Sequence, residues 1–211
     1  MRFFNIKNKN NKLKSTRTGF TLIETMVAVF ILSIALTALL GLTSKSLFMA
    51  RYFRNEITAN YLLQEASDYI RNKRDSVAFQ QKFTTNNSWS KFLAIFGNSA
   101  SSSLCFSTNG CYFDVNATTN FVIKTCNVLK PTFGKLKCPV FYYDPNATNG
   151  SFYNYNSGIR ALSNFKRMIF FKKNPNNLNE IYITIKVEWL NGNLVQSQSL
   201  YLSLLNWFGN K

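Results

Sequence analysis

The stretch RTGFTLIETMVAVFILSIALTALLGL, Arg17–Leu42, decides the architecture of this chain. It contains a single acid, Glu24, and the twenty residues between Glu24 and Lys45 carry no charge. As a helix, twenty residues extend about 30 Å, which matches the hydrocarbon core of a bilayer. The stretch therefore predicts a helix that spans a membrane.

The charges before this helix are all positive. Six basic residues and no acid precede Gly19, namely Arg2, Lys7, Lys9, Lys12, Lys14 and Arg17. Because Lys and Arg concentrate on the cytoplasmic side of membrane helices, we expect a cytoplasmic N-terminus and a remainder that lies outside the cytoplasm. The apolar run is long for a secretory signal peptide. An ordinary single-pass anchor would show the same asymmetry.

Glu24 is the feature that an ordinary anchor leaves unexplained. A carboxylate at the centre of a membrane helix costs about 2.5–3.5 kcal/mol, and less near an end. No Lys or Arg stands one helical turn after Glu24 to neutralise it. Its partner is therefore expected on another chain, unless Glu24 is an interfacial acid whose side chain reaches water.

The hexapeptide GFTLIE, Gly19–Glu24, resembles the processing site of type IV prepilins and type II secretion pseudopilins. The resemblance implies that an inner-membrane prepilin peptidase cleaves between Gly19 and Phe20 and methylates the new amine on Phe20. It also implies that this amine pairs with Glu24 of a neighbouring subunit. An α-amine has a pKa of about 8 and is cationic at neutral pH.

Helical periodicity continues beyond the apolar run. Met49, Phe53 and Ile57 are spaced by four, and Ala59, Leu63, Ala66 and Ile70 by four, three and four. Since no proline occurs before Pro131, we predict one helix from Phe20 to about Val77. The predicted segments are a leader (1–19), a membrane or filament-core helix (20–48), its amphipathic continuation (49–78) and a β-rich globular head (79–211).

The last 45 or so residues predict a three-stranded antiparallel meander. The stretch from Glu180 to Trp189 alternates strictly, with Ile181, Ile183, Ile185, Val187 and Trp189 on one face. A turn at 191–193 leads to a strand at 194–204, and 166–172 forms the strand before. The expected fold is α+β and pilin-like: a long N-terminal helix, membrane-embedded in its first half, packs on an antiparallel β-sheet head. A strand that ends in Trp before a final strand and a second Trp resembles the minor-pilin branch.

The four cysteines, Cys105, Cys111, Cys126 and Cys138, all follow the apolar segment and include no C-x-x-C pair. In an exported domain they are disulfide candidates with three alternative connectivities. Asn109-Gly110 between two aromatic-rich runs predicts a type I′ hairpin. In that hairpin a bond between Cys105 and Cys111 would disturb the pairing, which favours bonds to Cys126 or Cys138, although a wider turn would reverse this preference.

The sequence predicts no enzyme, no cofactor and no metal site. It contains no histidine, and the only acids between Asp75 and Glu180 are Asp114 and Asp144. The stretch DPNATNG, 144–150, offers oxygen ligands for calcium but only one acid, so a plain turn is the stronger interpretation.

A structural subunit is the expected function: a minor pilin or pseudopilin that packs against other pilin subunits through its helix. It would be inserted in the bacterial inner membrane, assembled by inner-membrane machinery and end in an extracellular or periplasmic filament. The sequence leaves a pilus, a competence filament and a secretion pseudopilus open. One further alternative is a membrane protein in which the motif is accidental.

A second alternative is a binding module at the filament tip, an adhesin or a DNA-uptake receptor. Charges and rings alternate in one segment, at Arg160, Phe165, Lys166, Arg167, Phe170, Phe171, Lys172 and Lys173. Such a mixture can bind a nucleic-acid backbone and stack bases. The simpler interpretation is a strand with a solvated basic face and a buried aromatic face.

Overall fold

The computed structural model describes residues 19–80, 85–98, 103–114, 122–129, 133–146, 153–155 and 161–207. The chain divides into two compact units, 1–49 and 50–211. Helix α1 runs from Leu22 to Gln80 and a shorter helix, α2, from Thr85 to Ile95. The single long helix predicted from Phe20 to about Val77 is confirmed.

Seven antiparallel strands form one sheet in the described part of the second unit: β1 (Cys111–Tyr112), β2 (Lys124–Thr125), β3 (Val140–Tyr143), β4 (Tyr153–Asn154), β5 (Ala161–Lys173), β6 (Glu180–Asn191) and β7 (Leu194–Leu205). The last three are the predicted meander, which is confirmed, with β5 beginning five residues earlier than expected. A tight turn joins β6 to β7, and Gly192 in that turn has φ 62°.

The short strands lie along one edge of β5. Strand β3 pairs with its first half and β1 with Ile169, while β6 occupies the other edge. Strands β4 and β2 then pair with β3 and β1. The sheet therefore ends in β7 on one side. On the other side of β5 it divides into two short pairs of strands, β3 with β4 and β1 with β2.

The core lies between this sheet and the second half of α1. Ile181, Ile183 and Ile185 are at most 1% exposed, as the alternation predicted. The helix contributes buried side chains at Ala59, Leu62, Leu63, Ala66 and Ile70, so the second predicted stripe is confirmed as core. The first stripe is not buried in this chain: Met49, Phe53 and Ile57 are 40%, 51% and 54% exposed.

The hairpin predicted at Asn109-Gly110 is wrong. Residues 104–109 form consecutive turns, and the strand begins only at Cys111. Gly110 has φ 69° and donates its N–H to the Ser107 carbonyl at 2.9 Å. Because these residues form turns and do not pair as two strands, the two ends of the segment lie close together.

The disulfide connectivity differs accordingly from the favoured one. Cys105 bonds Cys111, with 4.6 Å between their Cα atoms, and Cys126 bonds Cys138, with 4.3 Å. The Cys105 N–H bonds the Phe96 carbonyl, and its carbonyl accepts from Phe171 N–H on β5. Thus a segment of consecutive turns, hydrogen-bonded to the end of α2 on one side and to β5 on the other, brings Cys105 to the start of β1.

Candidate processing and assembly site

The start of α1 is capped by Thr21. Its hydroxyl oxygen accepts the Glu24 N–H at 3.3 Å, and its carbonyl accepts the N–H groups of Glu24 and Thr25 at 3.1 and 3.2 Å. A Thr followed three residues later by Glu is the sequence pattern of a capping box, a signal that the sequence analysis missed. The cap fixes where the helix begins, so Gly19 and Phe20 lie outside it.

Gly19 and Phe20 are accessible. Phe20 is 80% exposed, and no described atom lies within 4 Å of where a Cβ on Gly19 would be. Gly19 also has none of the positive φ angles that occur at other glycines of the chain. The fold of the described residues therefore makes no demand for glycine at this position.

The hydroxyl groups of the apolar segment bond within the helix. Thr25 donates to the Leu22 carbonyl at 2.8 Å, Ser33 to Val29 at 2.7 Å and Thr37 to Ile34 at 2.9 Å. Such back-bonding satisfies a polar group where no water is present. Among the described residues, by contrast, the Glu24 carboxylate has no donor.

The apolar side chains of this segment are uncovered within the described chain. Phe30 is 66% exposed, Leu36 52% and Leu40 69%. The helix is long and apolar enough to cross a membrane by length and composition. Lipid or other protein must cover this surface, because exposed apolar patches of this size are unfavourable in water.

Metal-ligating side chains do not cluster in the described part of the head. No group of three His, Cys, Asp or Glu side chains there could hold a metal ion. Asp114 accepts the Tyr155 N–H at 3.2 Å, and Asp144 accepts the Asn146 N–H at 3.1 Å. Asp144 therefore supports a local turn, whereas Asp114 joins the chain after β1 to the end of β4, 41 residues later. The rest of the considered calcium loop, 147–150, lies outside the described residues.

The basic and aromatic cluster does not form a solvated basic face. Arg167 is 1% exposed and donates to the Leu62 carbonyl at 2.9 Å and to the Glu65 carboxylate at 2.6 Å, both on α1. Lys166 is also 1% exposed, and burial lowers its pKa. Neighbouring residues of a strand point to opposite faces, so Lys166 and Arg167 could not both have shared a solvated face.

The exposed cations that remain in this cluster are fewer than the sequence suggested. Lys172 and Lys173 are exposed at the end of β5, and Arg160 lies outside the described residues. Lys173 also lies over the Phe106 ring, with its Nζ 5.9 Å from the ring centre. The charges available to a nucleic acid are therefore concentrated at one end of the strand.

The N-terminal segment is the part of this chain that matches a known family model. The model of the prokaryotic N-terminal methylation motif matches residues 14–40, which include Gly19, Phe20 and Glu24. No curated protein and no solved structure matches the chain. The motif supports a type IV pilin-like protein that prepilin peptidase processes, and it points to a structural subunit and not an enzyme. This chain therefore carries the type IV prepilin-type signal ahead of a pilin-like α+β head.

Proposed function

We propose that this protein is a minor pilin or pseudopilin, a structural subunit of a type IV pilus-like filament or of a type II secretion pseudopilus. The observation that carries the proposal is the methylation motif at residues 14–40. The apolar part of the helix in this motif is not covered by any other part of the described chain. Segment 1–19 is the leader, 20–48 the membrane or filament-core helix, 49–78 its continuation and 79–211 the head.

The peptidase cleaves between Gly19 and Phe20. The peptide bond precedes the capped start of α1 by two residues, so it can enter an enzyme without unwinding the helix. Since the described fold tolerates a side chain at position 19, the need for glycine comes from the peptidase that must close around the backbone. Glycine at position 19 is therefore a requirement of the peptidase and not of the fold.

Glu24 directs assembly. Cleavage creates an α-amine on Phe20 with a pKa of about 8, and methylation leaves it cationic at neutral pH. In lipid an unpaired carboxylate is costly, and a cation from the neighbouring subunit removes that cost. The pairing fixes how far one helix is displaced along the next, because a mismatched register leaves both charges unpaired.

The topology follows from the charge distribution. The six basic residues before Gly19 keep the leader in the cytoplasm, where the inner-membrane assembly machinery acts. Both disulfides lie in the head, which fits an oxidising compartment outside the cytoplasm. A DNA-receptor role has less support, because Lys166 and Arg167 are buried within the head.

The mature N-terminus tests this proposal. We expect mass spectrometry of the protein from its native host to show N-methylated Phe20. A Gly19→Leu variant should retain its leader, whereas Gly41→Leu, a control inside α1 with equally open space around it, should be processed normally. Recovery of native protein that still begins at Met1 would contradict the proposal.

A further inference from the structure

The face of the sheet opposite α1 presents two tyrosine rings to solvent. Tyr182 on β6 is 41% exposed and Tyr201 on β7 is 75% exposed. The residue pair between them, Ile183 and Leu202, packs with the core on the other face. Because side chains alternate along a strand, both tyrosines lie on the outer face of the sheet.

The two tyrosines are diagonal neighbours in a regular ladder. Tyr182 pairs with Ser203 and Tyr201 pairs with Thr184, and neither the β5–β6 nor the β6–β7 ladder contains a register shift. Diagonal neighbours on antiparallel strands lie about 7–8 Å apart, within reach of aromatic side chains. The two rings therefore stand side by side on one continuous surface.

A buried amide holds Tyr182 in place. Asn174 is 8% exposed, and its Nδ2 donates to the Tyr182 hydroxyl oxygen at 2.9 Å and to the Glu180 carboxylate at 2.6 Å. The Asn174 Oδ1 accepts the Asn176 N–H at 2.9 Å, which fixes the amide itself. The ring of Tyr182 and the carboxylate of Glu180 thus have defined positions before any ligand binds, which lowers the entropy cost of binding.

An acid and a base flank the rings without neutralising each other. Hydrogen bonds from Ser203 and Asn174 lower the pKa of Glu180, so its carboxylate is ionised at neutral pH. Lys172 pairs with Tyr182 in the ladder and is exposed. Within the described part of the chain, no salt bridge joins Lys172 to an acid. The tyrosine platform denotes these two rings and two charges: Lys172, Glu180, Tyr182 and Tyr201.

This combination of groups matches the chemistry of a sugar chain. A carboxylate only accepts hydrogen bonds and an ammonium only donates them, whereas a hydroxyl group does both and can pair with either. The C–H bonds on one face of a sugar ring are slightly positive and attract the negative face of an aromatic ring. Sugar units can therefore satisfy the rings and both charges of the platform together.

The charges on this face disfavour a nucleic acid. A phosphate backbone is bound through several free cations. Lys186 lies on the same face but already pairs with Glu188 at 3.4 Å. The ionised Glu180 beside Tyr182 would also repel phosphate groups. One free ammonium and one carboxylate leave the platform close to neutral, which favours a neutral ligand.

We propose that the tyrosine platform binds a neutral, extended glycan, a chain of β-1,4-linked hexose units that stack on Tyr182 and Tyr201. Such chains are flat ribbons, so successive units can lie on rings that stand side by side on a sheet. Hydroxyl groups at the margin of the ribbon donate to Glu180 and accept from Lys172. This binding function is additional to the subunit role and does not depend on processing at Gly19.

Calorimetric titration of the full chain with chitohexaose and with cellohexaose tests the platform. The protein is kept in a polyoxyethylene detergent, because glucoside and maltoside detergents are themselves sugars and would compete. We expect saturable binding of at least one of the two oligosaccharides. Absence of binding to both would overturn the proposal.

Substitutions at Tyr201 show whether binding occurs on the platform. Tyr201→Ala should weaken binding about tenfold because it removes one stacking ring, whereas Tyr201→Phe keeps the ring and should bind nearly as the parent does. Leu129→Ala, at a position that is 95% exposed, is the control for a distant surface change. Thermal unfolding of each variant confirms that the head is folded. Equal binding by folded Tyr201→Ala and the parent would overturn the proposal.

Charge variants separate a glycan from a nucleic acid. Lys172→Met removes a donor and Glu180→Gln weakens an acceptor, so both should weaken binding of the oligosaccharide. For a nucleic acid the two substitutions act in opposite directions, because loss of the negative charge at Glu180 favours phosphate. The same titrations are therefore repeated with an oligothymidylate. Binding of the oligothymidylate that exceeds that of both sugars and increases in Glu180→Gln would overturn the glycan assignment.

Discussion

Lys166 on β5 and Glu188 on β6 lie directly opposite each other and hold the same loop from two sides. Lys166 Nζ donates to the carbonyls of Phe133 and Leu136 at 2.8 and 3.3 Å. The Glu188 carboxylate accepts the N–H groups of Lys135 and Leu136, both at 3.0 Å. These two charged side chains therefore satisfy backbone donors and acceptors of a loop whose residues at 133–136 are not part of a β-strand.

Glu188→Gln should destabilise the head strongly. The substitution weakens two hydrogen bonds to backbone N–H groups and leaves Lys166 buried without its compensating charge, so we expect a loss of about 3 kcal/mol. Thermal unfolding of the full chain in detergent should shift down by about 6–12 °C. Asp68→Asn, which changes an exposed carboxylate, is the control and should shift little. Equal shifts in both variants would contradict the clamp.

Tyr155→Phe should stabilise the head. The Tyr155 hydroxyl is buried and has no hydrogen-bond partner among the described residues, whereas its ring stacks on Phe141 with 4.4 Å between ring centres. The variant keeps the stacking and removes an unsatisfied polar group, which is worth about 1 kcal/mol. A urea titration of the full chain in detergent measures this gain, and Tyr201→Phe, at an exposed position, should be neutral in it.

The advantage of Tyr155→Phe should also grow at alkaline pH. Burial raises the pKa of Tyr155, so the folded state keeps the phenol proton above pH 10 while the unfolded state loses it. Stability of the parent chain then falls as pH rises through this range, by at most about 1.4 kcal/mol per pH unit. Unfolding free energies at pH 8 and pH 10.5 would measure this, and a difference that stays constant would count against it.

Replacing Cys126 and Cys138 by serine should cost about 3 kcal/mol, because the bond closes a loop with a sequence separation of 12. The bonded segment ends beside the loop that Glu188 holds. The cost of the cysteine replacement and that of Glu188→Gln should consequently not add, since both release the same loop. A double-mutant cycle by chemical denaturation measures the coupling, and full additivity would show that the two restraints are independent.

Glu24→Gln should leave insertion into the membrane intact and impair assembly. The amide has nearly the same shape but cannot pair with a cationic amine on a neighbouring subunit. Thr25→Val is the matched control, since the Thr25 hydroxyl is already satisfied by the Leu22 carbonyl. Immunoblots of membrane fractions and of sheared filaments measure this. Glu24→Gln should be found in the membranes only, and Thr25→Val in the membranes and in the filaments. Normal incorporation of Glu24→Gln would refute the pairing.

The sequence was sufficient for the elements whose periodicity is long. Helix α1 and strands β5 to β7 each repeat their apolar positions over many residues, and the residues that alternate in β6 form the core. The two-residue strands β1, β2 and β4 have no room for a repeat, so only tertiary pairing defines them.

The charged residues of the sheet show why the remainder was not predictable. Alternation correctly assigns Glu188 to the face opposite the core, but that face is covered locally by the loop with Gly134, and Glu188 is 2% exposed. Gly134 has φ 63°, and a Cβ there would collide with the Glu188 carboxylate. Which loop folds over a strand depends on contacts distant in sequence, and periodicity carries no information about them.

The hydroxyl groups of Ser33 and Thr37 donate to carbonyls of their own helix, so they need no hydrogen-bond partner either in lipid or among other helices. Moving this helix surface from lipid tails to the side chains of other helices breaks no hydrogen bond, so the transfer meets little resistance from these groups. In the proposed function, by contrast, the Glu24 carboxylate is unpaired in lipid and gains a cationic partner from a neighbouring helix. That one group would then make association with other helices more favourable than isolation in lipid.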